Sequence, residues 1–423
     1  MLFWDKLKTV FQDKGLRNRL LFVFAALAFS RLLATIPIPG IDPVRLNQFF
    51  SGSEFFGFLN IFSGGGMGKL SIVMLGVGPY ITSSIIMQLL TMMSPSLKTM
   101  YQEEGQAGRL KFSQISRMIT VPIAFIQGFG FLSLLEKSGV VTNLSVTGMI
   151  VNILVITAGS LLLMWIGELM TEFGIGNGTS MLIFAGIVAS LPTEISQLSI
   201  SFTPAQIPTY LFFAAISLVV IYAVVYISEA ERPVPVTYAK RIRGSQTTGG
   251  VSTYLPLRVN QAGVIPIIFA MSLLLFPQMI LKYLSAAATA DWLKNISGIL
   301  NDFISNSWIY AILYFVLVFV FTYFYTAVTF DPDAISKNLQ QNGAFIPGVR
   351  PGTSTSEYLA KVLTRITLVG AVFLGFIAVL PLIIQSVTGI TSIAVGGTAL
   401  LIVVSVVIDL IKKIEAQITM REY

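Results

Sequence analysis

TSMLIFAGIVASL, residues Thr179–Leu191, is the stretch on which the topology of the chain turns. At thirteen residues it is short for a membrane helix, which needs about 20 apolar residues. Nine longer apolar segments surround it: Leu20–Ile36, Leu70–Met93, Met118–Leu135, Val146–Gly167, Ile207–Ile227, Ala262–Leu281, Trp308–Phe330, Ile366–Ile384 and Ile393–Ile411. Charge decides whether the short one crosses. With ten crossings, one side of the membrane holds five Lys/Arg before the first span and four between the second and third. That side also holds five between the sixth and seventh, four between the eighth and ninth and three in the tail. This makes twenty-one against five, with Arg31 inside the first span. Without the crossing the split is eleven against fifteen. The positive-inside rule selects the first arrangement, with ten spans and both termini cytoplasmic.

Composition agrees. Hydrophobic residues make up 54% of 423 and charged residues 11%, with a mean hydropathy of +0.80. A soluble chain of this size needs more charge to cover its surface. The apolar runs are continuous, as in helices, not the alternating ten-residue segments of a barrel. With no Cys and no His, disulfides, thiol catalysis, Cys/His zinc sites and histidine proton relays are excluded. The polar start carries five Lys/Arg, and the first apolar run leads into Ile36-Pro37-Ile38-Pro39-Gly40. A small-residue cleavage site is not there, so a cleavable signal is not expected. Residues 1–19 fit two readings: a surface helix with Phe3, Leu7, Val10 and Phe11 on one side, or a frayed polar tail.

Between the first two spans lies EFFGFLNIFSGGGMGKL, Glu54–Leu70, on the outer side. Its apolar part is too short to cross and ends in three glycines, a flexible joint. Such a helix either folds back into the membrane as a movable stopper or lies on the surface. A phosphate loop is rejected: Ser63 stands where its first glycine is required, and Leu70 where Ser or Thr should meet magnesium. The second span carries Gly76, Gly78, Pro79, Thr82, Ser83, Ser84, Gln88 and Thr91, the small and polar residues that let helices approach. Val77 and Ile81 share one of its faces. At membrane depth the charges are few, Arg31, Glu168 and Asp409, which weighs against an ion-driven carrier. A membrane-embedded lipid transferase would need a cluster of acids, bases or metal ligands facing the bilayer, and no such cluster stands out. Two long cytoplasmic loops remain, 229–258 and 331–365. Most of their positive charge needs only topology to explain it. Lys240, Arg241, Arg243 and Arg350, set among glycines and prolines, fit docking to an acidic protein surface or RNA phosphates.

The chain resembles the SecY/Sec61α family of protein-conducting channels along nearly its whole length. The resemblance rests on IPIPGI (Ile36–Ile41), FSGGGM (Phe62–Met67), GPYITSSIIMQLL (Gly78–Leu90) and EGQAGRLKFSQISR (Glu104–Arg117). It continues through the GIGNG turn and its flanks (Trp165–Val188), Tyr238–Gly244, LPLRVNQAGVIPIIFA (Leu255–Ala270) and Asn338–Gly352.

The resemblance implies an all-α polytopic membrane protein, ten helices in two inverted five-helix halves around a central pore. The halves would be residues 1–200 and 201–423. A plug would include Asn60, Ile61, Phe62, Ser63, Gly64, Gly65, Gly66 and Met67. A pore ring of Val77, Ile81, Ile183, Ile268 and Ile402 would seal by dewetting and fit around any passing chain. Thr82, Gln127 and Asn260 match a polar cluster at a lateral gate between spans two and three and spans seven and eight. Lys240, Arg241, Arg243 and Arg350 would dock the SecA motor or the ribosome. SecE and SecG would be companion subunits, and secretory preproteins, nascent membrane proteins and membrane lipid the other partners. The setting would be the bacterial plasma membrane, with no cofactor and no catalysis. Three positions depart from the family pattern. Leu110 and Phe173 stand where basic residues are usual, and Thr179 where an aliphatic one is.

Overall fold

A computed structural model gives the fold. It describes residues 12–38, 63, 66–102, 104–137, 139–140, 145–200, 207–238, 241–243, 246–248, 252–287, 298–300, 306–388 and 391–422. The expected surface helix at Phe3–Phe11, the plug residues Asn60, Ile61, Phe62, Gly64 and Gly65, and Lys240 lie outside these residues.

Ten helices answer to the ten expected spans: α1 (Lys14–Leu33), α2 (Gly78–Met93), α4 (Gly105–Lys137), α5 (Val146–Phe173), α6 (Gly178–Ile200), α7 (Ile207–Glu229), α8 (Ile265–Ala287), α9 (Ser307–Thr329), α11 (Thr353–Thr388) and α12 (Thr391–Glu422). Two shorter ones, α3 (Pro95–Gln102) and α10 (Pro332–Gln341), lie in the loops after the second and eighth spans. The apolar part of the fifth span is short, Gly178–Pro192, but the helix runs beyond it. Its helix α6 has 23 residues, about 34 Å at 1.5 Å per residue, enough for a hydrocarbon core of about 30 Å. Polar residues at its end hid the length from a hydropathy reading.

Packing divides the chain into two compact units. One comprises Met1–Phe213, Met271–Tyr310 and Pro381–Tyr423, the other Ala214–Ala270 and Ala311–Leu380. In the first, α5 packs against α1, α2, α4 and α6. Its buried residues recur every three or four positions: Asn152, Ile153, Ile156, Gly159, Ser160, Leu163, Gly167 and Met170. Small residues among them allow close approach. A Cβ on Gly159 would collide with the Ile72 carbonyl, a place only glycine fits. Leu16, Ile175 and Ile418 form a buried cluster that ties α1, the GIGNG turn and α12 together. Asn177 caps α6, accepting from Ser180 N at 3.2 Å and from the Thr179 hydroxyl at 2.8 Å. The unusual Thr179 is thus used locally.

In the second unit the two long loops, 229–258 and 331–365, join in one sheet. Strands β1 (Glu231–Tyr238) and β4 (Ser252–Arg258) pair antiparallel from Glu231↔Arg258 to Thr237↔Ser252. Strand β5 (Ala344–Phe345), from the other loop, adds at Thr237↔Phe345. A separate hairpin, β2 (Arg241–Arg243) with β3 (Gln246–Thr248), stands between β1 and β4 in sequence. Alternate residues of β1, Val234 and Val236, point inward with Leu257, Ala344, Ile346 and Leu359 to make a small core. The loops are therefore a folded module, not tethers.

Candidate functional site

The site is built on an irregular stretch. The second span was expected to be helical from Leu70, but α2 begins at Gly78. Residues 67–77 run as consecutive turns. Pro79, lacking an N–H, fits the first turn of α2, where that donor would have no partner within the helix. Leu70 is left-handed at φ 41 and Gly76 at φ 58. Non-helical backbone at membrane depth is tolerated only when protein satisfies it, and here protein does. Ile38 N donates to Leu70 O at 2.9 Å and Ile72 N to Ile36 O at 3.0 Å, extending the end of α1. From the other side the Ser160 hydroxyl of α5 donates to Gly76 O at 2.8 Å.

This clamped stretch carries Val77 at its end, with Ile81 one turn into α2. Val77 is 2% exposed, Ile183 of α6 3% and Ile402 of α12 1%. Ser63, within the expected plug, is buried, and its hydroxyl accepts from Met67 N at 3.0 Å. Gly66 N donates to Ser63 O at 3.4 Å, and Met67 is buried below it. The structure brings Ser63, Val77 and Ile183 to one half-open cavity of about 20 Å³, with Ser30, Arg31, Ala34, Val73, Gly76, Leu163 and Leu182 completing its wall. That is room for about one water. Ile268 is buried in the other unit, beside Phe269, whose ring meets Phe321 edge-on.

Of the expected gate residues, Thr82 and Gln127 belong to the first unit and Asn260 to the second. Thr82 is half-buried and its hydroxyl donates to Gly78 O of its own helix at 3.1 Å. Gln127 is half-buried on α4. The Asn260 side-chain oxygen is buried with no hydrogen-bond partner among the described residues. Stronger polar ties between α2 and α4 were not foreseen. The Ser83 hydroxyl donates to Ser116 O. Arg117 donates to Glu168 at 2.5 Å, joining α4 to α5. The depth charge Glu168 is thus paired, as is Asp409, 2.7 Å from Lys413 one turn on. Seryl and arginyl residues every third or fourth position on facing spans were the available signal.

Arg350 is exposed on a rigid turn. Gly348 at φ 83 and Gly352 at φ 101 shape it. The Thr355 hydroxyl donates to Arg350 O at 2.9 Å, and the Ser336 hydroxyl to Gly352 O at 2.6 Å. Arg241 and Arg243 form β2 opposite Thr248 and Gln246. Leu110 and Phe173, at the positions where basic residues are usual, are exposed.

The SecY family profile matches residues 71–411. The SecY translocase subunit of Thermotoga maritima is 39% identical over 435 residues, covering 99% of this chain and 97% of that one. The chain belongs to the SecY family. Two solved structures agree on the fold. One, of a SecY channel whose plug is described as stabilising the closed state, has a TM-score of 0.66 at 19% identity, covering 94% of this chain and 91% of the other. The other, Sec61 in a canine ribosome–channel complex from the endoplasmic reticulum, has a TM-score of 0.60 with the same identity and coverage. The polytopic helical fold expected from sequence is the SecY fold. Its most irregular part, residues 67–77, falls where the SecY resemblance puts plug and ring side by side.

Proposed function

We propose that the chain is the channel subunit of a protein translocase. It passes unfolded secretory polypeptides across the membrane and releases apolar segments sideways into lipid. One observation carries this reading. Ser63 of the plug segment and two ring residues, Val77 and Ile183, wall one half-open cavity of about 20 Å³, room for about one water, on a backbone stretch that neighbouring segments hold in an irregular shape. An apolar neck excludes water and ions when idle. Its branched side chains make no sequence-specific contacts, so many substrates can pass.

The rest of the assignment follows from charge and chemistry. The chain sits in a bacterial plasma membrane with both termini cytoplasmic, in keeping with the distribution of Lys and Arg and with its bacterial relatives. The module bearing Arg350, Arg241 and Arg243 docks a ribosome or the SecA motor, and SecE and SecG flank the spans. Ile81, Ile268 and Ile402 complete the ring, and Thr82, Gln127 and Asn260 border the lateral exit. Energy comes from the partner, and the chain performs no catalysis. Paired depth charges support a conduit over an ion-coupled carrier, which keeps ionisable groups available at the midplane.

Reconstitution tests it. Purified in gentle detergent, the chain should bring two small membrane subunits. In proteoliposomes it should protect a secretory precursor from protease only when motor and ATP are present. Saturable small-solute uptake without precursor transport would refute the assignment.

A further inference from the structure

We propose that the outward face of the sheet formed by β4, β1 and β5 is the apolar centre of a protein-docking surface, and that its occupant is an acidic protein surface bearing an apolar anchor. The inference deepens the docking part of the channel reading and rests on it. Register places the face. Val234 and Val236 of β1 point into the small core, so Pro233, Pro235 and Thr237 point out. Across the ladder these stand opposite Pro256, Tyr254 and Ser252 of β4, and Thr237 also opposite Phe345 of β5. Opposed residues share a face. Pro233, Pro235 and Pro256 are exposed, Tyr254 is 66% exposed and Phe345 37%. Three prolines and two rings thus form a contiguous patch, and such patches mark contact sites.

The kind of contact follows from the same residues. An added strand is poorly served, because Pro256 on the edge strand β4 lacks a ladder donor. The face itself remains. Its middle carries aromatic and proline surface and no charge, as the core of a protein interface does. The ion pair of Arg258 with Glu231, at 3.2 Å, lies at one end of the ladder. At the other end β1 leads into Arg241 and Arg243 of the hairpin, and β5 leads into the Arg350 turn. Cations around an apolar centre suit a partner whose own rim is acidic. Single-stranded RNA would stack successive bases on rings. Here Tyr254 and Phe345 stand on the two outer strands, about 10 Å apart, with Pro235 and Thr237 between them.

The test uses the whole complex in lipid nanodiscs, with the motor ATPase as the probe. Hydroxyl-radical labelling should mark Tyr254 and Phe345 in the complex alone, and the motor should shield both. Tyr254→Ala should raise the dissociation rate of the motor about tenfold or more, with its association rate nearly unchanged. Tyr254→Phe should bind like the parent. Arg243→Gln should instead slow association and flatten its salt dependence. Rings that stay labelled under saturating motor overturn the proposal, as does a Tyr254→Ala complex that dissociates at the parental rate. So does shielding by the lipid disc alone or by single-stranded RNA. If Arg350→Glu weakens motor binding while Tyr254→Ala does not, the apolar centre alone is wrong. If neither change weakens it, the docking reading itself has failed, and this inference with it.

Discussion

Consider replacing Ile183 with Ser. Ile183 is 3% exposed and walls the cavity that Val77 and Ser63 also line. The change removes three carbons and adds a hydroxyl. At about 0.8 kcal/mol per buried methylene, the dry neck loses roughly 2.4 kcal/mol relative to a hydrated one. At 1.4 kcal/mol per decade, the ratio of wet to dry necks rises about fiftyfold. The space also grows. A cavity of about 20 Å³ holds about one water, and three lost carbons make room for more. The assay is ion conductance of the resting complex in planar bilayers, with no precursor or motor. The number of open events should rise about as steeply as the ratio. Ile183→Leu, which keeps the carbons, should leave the bilayer tight. A Ser variant that binds its partner subunits normally yet leaks no more than its parent would refute the reasoning, because a dry aliphatic seal could not survive that loss.

Three other outcomes follow from the same geometry. Ser160→Ala strands the buried Gly76 carbonyl and should cost about 1–3 kcal/mol, read as a lower melting midpoint in detergent and faster hydrogen exchange at Ile72. Arg350→Glu reverses an exposed charge on a rigid turn. It should weaken motor or ribosome binding about tenfold or more without changing the melting midpoint, and full binding would remove the docking role. Asp331 caps α10, accepting from Asp333 N at 2.9 Å and Ala334 N at 3.2 Å. Asp331→Ala should cost about 1 kcal/mol, seen as faster exchange of α10 amides, with the β1–β4 amides unaffected.

Most of the fold is legible in the sequence because hydropathy and loop charge act over long stretches. The crossing of Thr179–Leu191 follows from charge alone, and α6 there is long enough to make it. What resists reading is set by contacts across sequence. Nothing local in Leu70–Val77 disfavours helix except Gly76 and, just beyond it, Gly78 and Pro79. The stretch stays irregular because Ile36, Ile38 and Ser160, far away in sequence, take its hydrogen bonds. Likewise ERPVPVTY and STYLPLR each alternate like half-buried strands. Their partner β5 has two residues, too few to show any period. Ring residues are the hardest case. Val77 is an apolar residue among many, and only resemblance, not periodicity, singles it out.

The irregular stretch gives a reason for where the seal lies. Within a regular helix each side chain's height follows from the one before it. A backbone released from that constraint can place Val77 against Ser63 and Ile183 and still feed straight into α2. The cost is a set of main-chain groups that lipid cannot satisfy. The segment that follows α1, through Ile36 and Ile38, and α5, through Ser160, satisfy three of them, so the seal depends on segments that contribute no side chain to the ring. A change in how α1 or α5 packs must then reach the neck through Ile36, Ile38 and Ser160. The hydroxyl of Ser160 and the missing Cβ of Gly159 are as much a part of the closure as the aliphatic side chains. A bulky residue at 159 should therefore open the neck while every ring residue stays wild type, and a tight bilayer with Gly159→Val in a folded complex would contradict this.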